Sequence, residues 1–121
     1  MTPKSSLRGS LRPAADRYLE DSFARGTPPH VNEFARLVGL SPSGLRRIFA
    51  IETGLAVGAY FKDARIRRAK ELLGTTSLSL TEIACSAGFG TRTTMFRSFR
   101  RAVGLTPDEY RSQARAIPDG Q

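Results

Sequence analysis

The stretch IACSAGFGTRTTMFRSFRR, residues 83–101, is an altered copy of FARLVGLSPSGLRRIFAI, residues 34–51. At an offset of 49, Glu33, Ala35 and Gly39 fall on Glu82, Ala84 and Gly88. Beyond that glycine the offset is 50, and Arg47, Phe49, Gly54, Leu55 and Tyr60 fall on Arg97, Phe99, Gly104, Leu105 and Tyr110. Gly90 is the inserted residue. A repeat of this period marks one supersecondary unit used twice.

The punctuation of each copy defines the unit. Gly39 and Gly88 suit a left-handed helix cap, which glycine adopts without steric cost. In the first copy this gives a short helix from Asn32 to Val38 and a second from Pro42 to Thr53, with Ser41 as cap and Pro42 in the first turn. Leu40 and Leu45 have the spacing of a hydrophobic staple. In the second copy, Ser79 and Glu82 form a capping box, Leu78 and Ile83 a staple, and Thr91 caps a helix that runs to Val103. Each unit is helix, tight turn, helix, with alanine four residues before the glycine. Alanine permits a close helix crossing and glycine the chain reversal. That is the helix-turn-helix plan, whose second helix enters the DNA major groove.

Outside the copies, Leu11, Ala15, Tyr18, Leu19, Ser22 and Phe23 form one stripe, so residues 11–25 read as an amphipathic helix ended by Gly26 and Pro28-Pro29. GAYFKDARIRRAKELLG reads as a longer helix with Ile66, Ala69, Leu72 and Leu73 on its apolar stripe and Gly74 closing it. Thr106 to Glu109 is another capping box, opening a C-terminal helix at Pro107. Nothing alternates with period two, so the expected fold is all-α, of about seven helices. The organisation expected is a loose segment 1–10, a first subdomain 11–58, a linker helix 59–74, a second subdomain 75–116 and a loose tail 117–121.

The totals agree with this reading. A chain of 121 residues has room for one domain or two very small ones, and no apolar run reaches the length of a membrane span. One cysteine allows no internal disulfide and no cysteine-based zinc cluster, which fits a reducing, cytoplasmic setting. A net charge of +8 points to an anionic partner, nucleic acid before a membrane surface. No acidic residue stands between Ile83 and Pro107, where Arg92, Arg97, Arg100 and Arg101 all lie.

The second helices divide into two faces. Leu45, Ile48, Phe49, Met95 and Phe99 belong to the core, which leaves Ser43, Gly44, Arg46 and Arg47 in one copy and Arg92, Thr93, Phe96 and Arg97 in the other. These lie in the first turns, where helix-turn-helix proteins contact bases. Arginine presents a planar fork to guanine, threonine a hydroxyl and methyl, and phenylalanine a face for a thymine methyl. Phe96 has an alternative place in the core. The helix starts at Ser41 and Thr91 suit phosphates through their free N–H groups, and Arg100 and Arg101, further along, suit the backbone. Cys85 reads as a small buried residue and His30 as a loop or cap residue.

IACSAGF followed by MFRSFRRAVGLTPDEYR resembles the signature of the AraC/XylS family of bacterial transcription regulators. LSPSGLRRIFAIETG and YFKDARIRRAKELL resemble that family's first motif and linker helix, and the likeness spans residues 11–112. It implies seven helices forming two helix-turn-helix subdomains that bind double-stranded DNA as one polypeptide, a monomer on DNA. RNA polymerase is a second candidate partner. The resemblance carries base-reading roles to the eight first-turn positions named above, and implies no cofactor and no metal. The chain departs from the family at AVGAY, where a Ser-Pro-type start before Tyr60 is common, and in the small residues at 43 and 44. A single histidine and an isolated cysteine speak against an enzyme, including an alkyl-acceptor repair protein. A sequence-specific regulator, expected to be an activator, is the reading that results; nonspecific or architectural nucleic-acid binding is the alternative.

Overall fold

The structure, a computed structural model, describes residues 3–116, with side chains described for 11–115; the tail expected at 117–121 lies outside it. Seven helices and no strands occur among these residues: α1 (Pro3–Arg25), α2 (Val31–Leu37), α3 (Pro42–Thr53), α4 (Val57–Thr75), α5 (Leu80–Ser86), α6 (Arg92–Val103) and α7 (Pro107–Ala116).

The expected caps form. Ser41 Oγ accepts from the Gly44 N–H at 3.0 Å and Thr91 Oγ1 from the Thr94 N–H at 3.1 Å. Both halves of the Ser79–Glu82 and Thr106–Glu109 capping boxes are made. Gly39, Gly54, Gly88 and Gly104 all have φ between 75° and 87°.

Two boundaries differ markedly from expectation. Helix α1 begins at Pro3, not Leu11, so Pro13 lies inside the helix rather than in its first turn. Helix α4 runs through Gly74 instead of closing there; its end is made by the Thr75 and Thr76 hydroxyls, which donate to the Glu71 and Leu72 carbonyls. At the AVGAY start, Ala56 supplies no side-chain cap, and the helix is held instead by Val57, which is fully buried.

Helix α4 serves two cores. Its first half (Val57, Phe61, Ala64) packs with Leu11, Tyr18, Phe34 and Phe49, and its second half (Ile66, Ala69, Leu73) with Ile83, Met95 and Phe99. The repeat carries through to the aromatic contacts. Phe49 meets Tyr60 edge-on at 5.2 Å, and Phe99 meets Tyr110 edge-on at 5.5 Å. The start of α4 thus does for α3 what α7 does for α6.

One contact had no signal in local sequence. Arg111 on α7 donates to the carbonyls of Leu73, Thr76 and Leu78, satisfying acceptors at the C-terminus of α4 and in the following loop. Arg115 also donates to the Thr76 carbonyl.

Candidate nucleic-acid interface

Helices α3 and α6 bury one stripe each, Leu45 with Phe49 and Met95 with Phe99, all fully enclosed. That burial turns the opposite face outward. Ser43, Arg46 and Arg47 are exposed on α3, as are Arg92, Thr93, Arg97, Arg100 and Arg101 on α6. The ion pairs found among the described residues, Asp63–Arg67 and Arg68–Glu71, both lie on α4. All six arginines of α3 and α6 are without an acidic partner among the described residues.

On α6 the exposed side chains enclose a shallow depression of about 590 Å³, lined by Thr93, Phe96, Arg97, Arg100 and Arg101. Phe96 is half-buried: one part packs against the second core and the other floors this depression. The Arg92 guanidinium lies 5.8 Å from the centre of its ring. A larger groove, about 880 Å³, runs between α1 and α4. Its lining mixes Arg12, Arg67 and Arg68 with Asp16, Glu20 and Asp63, so it has no net charge for an anion. The α6 depression is smaller but carries three arginines and no acid, which makes it the better match to a polyanion.

The two helix starts are unequal. Both Ser41 and Thr91 spend their hydroxyls on capping, so any anion must be met by neighbouring N–H groups. Pro42 has none, and the Gly44 N–H is taken by the cap, which leaves Ser43 in the first turn of α3. In α6, the Arg92 and Thr93 N–H groups remain. Gly44, half-buried and without a side chain, contributes only backbone surface. Further along, the positions of Arg100 and Arg101 are occupied in α3 by Ala50 and Ile51, and Ile51 is 77% exposed.

Cys85 is exposed, contrary to the expectation of burial. Helix α5 buries Leu80, Ile83 and Ala84, followed by its C-cap residue Ala87, and this stripe leaves residue 85 on its outer side. His30 is the N-cap residue of α2, without a side-chain cap bond; its backbone instead bonds the Tyr18 hydroxyl. Burial and the adjacent Glu33 carboxylate push the Tyr18 phenol above its usual range, and burial and Asp16 do the same to Tyr60. No helix among the described residues is long and apolar enough to cross a membrane.

Two capped helix pairs with second helices facing outward define a helix-turn-helix DNA-binding domain. A helix-turn-helix domain family profile matches residues 34–113. The chain belongs to the AraC/XylS family of transcription regulators. It is 40% identical over 86 residues to an HTH-type transcriptional regulator of Mycobacterium tuberculosis, covering 71% of this chain and 33% of that one. With the arabinose operon regulatory protein of Escherichia coli it shares 30% identity over 114 residues, covering 88% of this chain and 39% of the relative. The chain thus spans about a third of the length of these curated relatives. Among solved structures it resembles the DNA-binding domain of the global transcriptional factor AdpA in complex with a target DNA, with TM-score 0.79 and 29% identity over 91% of this chain and 97% of that one. An AraC-type transcriptional regulator from Chromobacterium violaceum superposes with TM-score 0.72 at 26% identity, covering 97% of this chain and all of that one.

Proposed function

We propose that this domain is a sequence-specific, cytoplasmic DNA-binding transcription regulator that reads two successive major-groove segments as a monomer. The observation that carries the reading is the pair of outward helices at matching places in one repeat, whose arginines have no acidic partner among the described residues and of which Arg47 and Arg97 coincide. Arg46 and Arg47 on α3, and Arg92 and Arg97 on α6, take guanine edges. Ser43 and Thr93 add hydroxyl contacts, Gly44 allows close approach, and Phe96 lies against a thymine methyl. Backbone phosphates are met by Arg100 and Arg101 and by the helix starts at Ser41 and Thr91. The small, less basic face of α3 makes the first motif the weaker reader. Activation, through contact with RNA polymerase, is the regulatory sense the family resemblance favours.

Selection of bound duplexes from a random pool, followed by footprinting, tests this reading. An asymmetric site is expected, with two protected major-groove segments about 34 Å apart, one helical turn. With on the order of six to ten phosphates contacted, affinity should fall roughly 10³- to 10⁵-fold between about 50 and 200 mM salt. Recovery of no preferred sequence, or equal competition by random duplex and RNA, would leave nonspecific binding as the function. A single protected groove would mean that one motif does not read bases.

A further inference from the structure

The two turns of the repeat share a backbone conformation but not an environment. Gly39 has φ +75°, and a Cβ added there would meet nothing within 4 Å. Gly88 has φ +80°, and a Cβ there would lie 2.8 Å from Pro29 Cδ and 3.0 Å from Phe23 Cε1. The inserted residue, Gly90, has φ +86° and would place a Cβ 3.2 Å from Pro28 Cγ. The second turn is therefore pressed against the first subdomain, whereas the first turn faces open space.

The surface it meets is stiff. The end of α1 is closed by Gly26 in the left-handed region and by the Thr27 N–H donating to the carbonyl of the buried Ser22 at 3.0 Å. Pro28 and Pro29 follow, each with φ locked by its ring. On the other side, Phe89 is buried in the second core, and the Arg65 guanidinium of α4 lies 5.8 Å from its ring centre. Phe23, which Gly88 abuts, belongs to the first core and lies 6.0 Å from the Arg68 guanidinium. Both cores thus meet across one joint.

We infer that the Gly88–Phe89–Gly90 turn, seated on Phe23, Pro28 and Pro29, is a clamp that fixes the placement of α6 relative to α3 and so sets the spacing of the two DNA segments the domain accepts. Helix α4, built into both cores, joins the subdomains through a single element that can still bend and twist between them; a second, direct contact restrains that motion. The inserted glycine has its function here, since it lets the turn bulge towards Pro28 without a side chain in the way. These are positioning residues, and the inference rests on the two-reader function proposed above.

The test uses the full chain and a duplex selected by the wild type, remade with one base pair inserted or deleted between the two protected segments. One base pair shifts a segment by about 3.4 Å and about 35° around the helix. A rigid wild type should lose at least about tenfold in affinity on the altered duplexes, comparable to one mismatched base pair. Gly88→Ala should bind the original duplex more weakly and lose less than about threefold on the altered ones. Gly39→Ala carries the same backbone strain without the contact, and should keep the wild-type spacing preference. If Gly88→Ala does not fold, the Pro28→Ala/Pro29→Ala double variant, which leaves the second motif intact, decides the matter with the same expected tolerance. Spin labels on Ala50→Cys and Ala102→Cys in a Cys85→Ser background give a readout without DNA: one narrow distance in the parent, a broadened distribution with Gly88→Ala or the proline variant. A wild type that protects only one segment of the duplex would refute the two-reader function, and one that protects both yet is indifferent to their spacing would overturn the clamp. A spacing-sensitive wild type with equally sensitive clamp variants, or with Gly39→Ala equally tolerant, would overturn the clamp.

Discussion

Replacing Arg111 by methionine keeps an aliphatic stem and removes the guanidinium that closes α4 against α7. Its Nη2 donates to the Leu78 carbonyl at 2.8 Å and to Thr76 at 3.3 Å, and its Nε donates to Leu73 at 3.2 Å. Hydrogen bonds from a charged group contribute about 1.5–3 kcal/mol each when good. Only the bond to Leu78 is short, however, and the half-exposed site lets water replace part of what is lost. Thr76 also keeps its bond from Arg115. The net cost of Arg111→Met is therefore about 2 kcal/mol, less than the sum of its bonds. For a domain of this size that lowers Tm by roughly 8 °C. Tyr110, the preceding residue, packs edge-on against Phe99 of α6, so loosening α7 also loosens the seat of α6. Thermal and urea melts followed by circular dichroism measure the loss, and DNA titration well below Tm should find affinity nearly intact. A Tm within about 2 °C of wild type would show that water fully replaces the guanidinium. Unchanged stability with lost affinity would place Arg111 on the DNA instead.

Arg97→Ala should weaken binding to the selected site by about 1–3 kcal/mol and relax preference at one base pair, with far less effect on random duplex. Arg101→Ala should weaken all duplexes alike and lower the salt slope by about one, and titrations against single-base variants separate the two outcomes. A uniform loss for Arg97→Ala would demote it to a phosphate contact. Ser79→Ala removes the acceptor for the Glu82 N–H and should cost about 1 kcal/mol in a urea melt, with spacing preference on DNA unchanged. The raised phenols of Tyr18 and Tyr60 make the folded state favour their protonated forms more than the unfolded state does. That stabilisation is complete below the ordinary phenol value of 10.0 and is lost as pH climbs through the raised native values. Tm should therefore fall more steeply above that value for wild type than for Tyr18→Phe/Tyr60→Phe, and parallel curves would remove the tyrosines from the account.

Much of the domain was legible in the residues themselves, because its helix ends are local devices. Ser41, Ser79, Thr91 and Thr106 each bond a backbone N–H three residues on, and their partners can be read within one turn of chain. The apolar stripes of α3 and α6 follow the same way, and with them the identity of the outward arginines. The repeat then exposed a helix-turn-helix unit used twice. What local pattern could not supply was everything decided between distant segments. Cys85 lies outside because of which face α5 offers to α4 and α6. Helix α4 passes through Gly74 although glycine there reads as a stop, and Arg111, thirty-eight residues from Leu73, helps satisfy the carbonyls at its end. Gly39 and Gly88 are equivalent in sequence and in φ, yet only Gly88 is walled in by Phe23 and Pro29. Hydrogen bonds to neighbours along the chain set the conformation of each turn; only the packing of one subdomain against the other decided which turn became a joint.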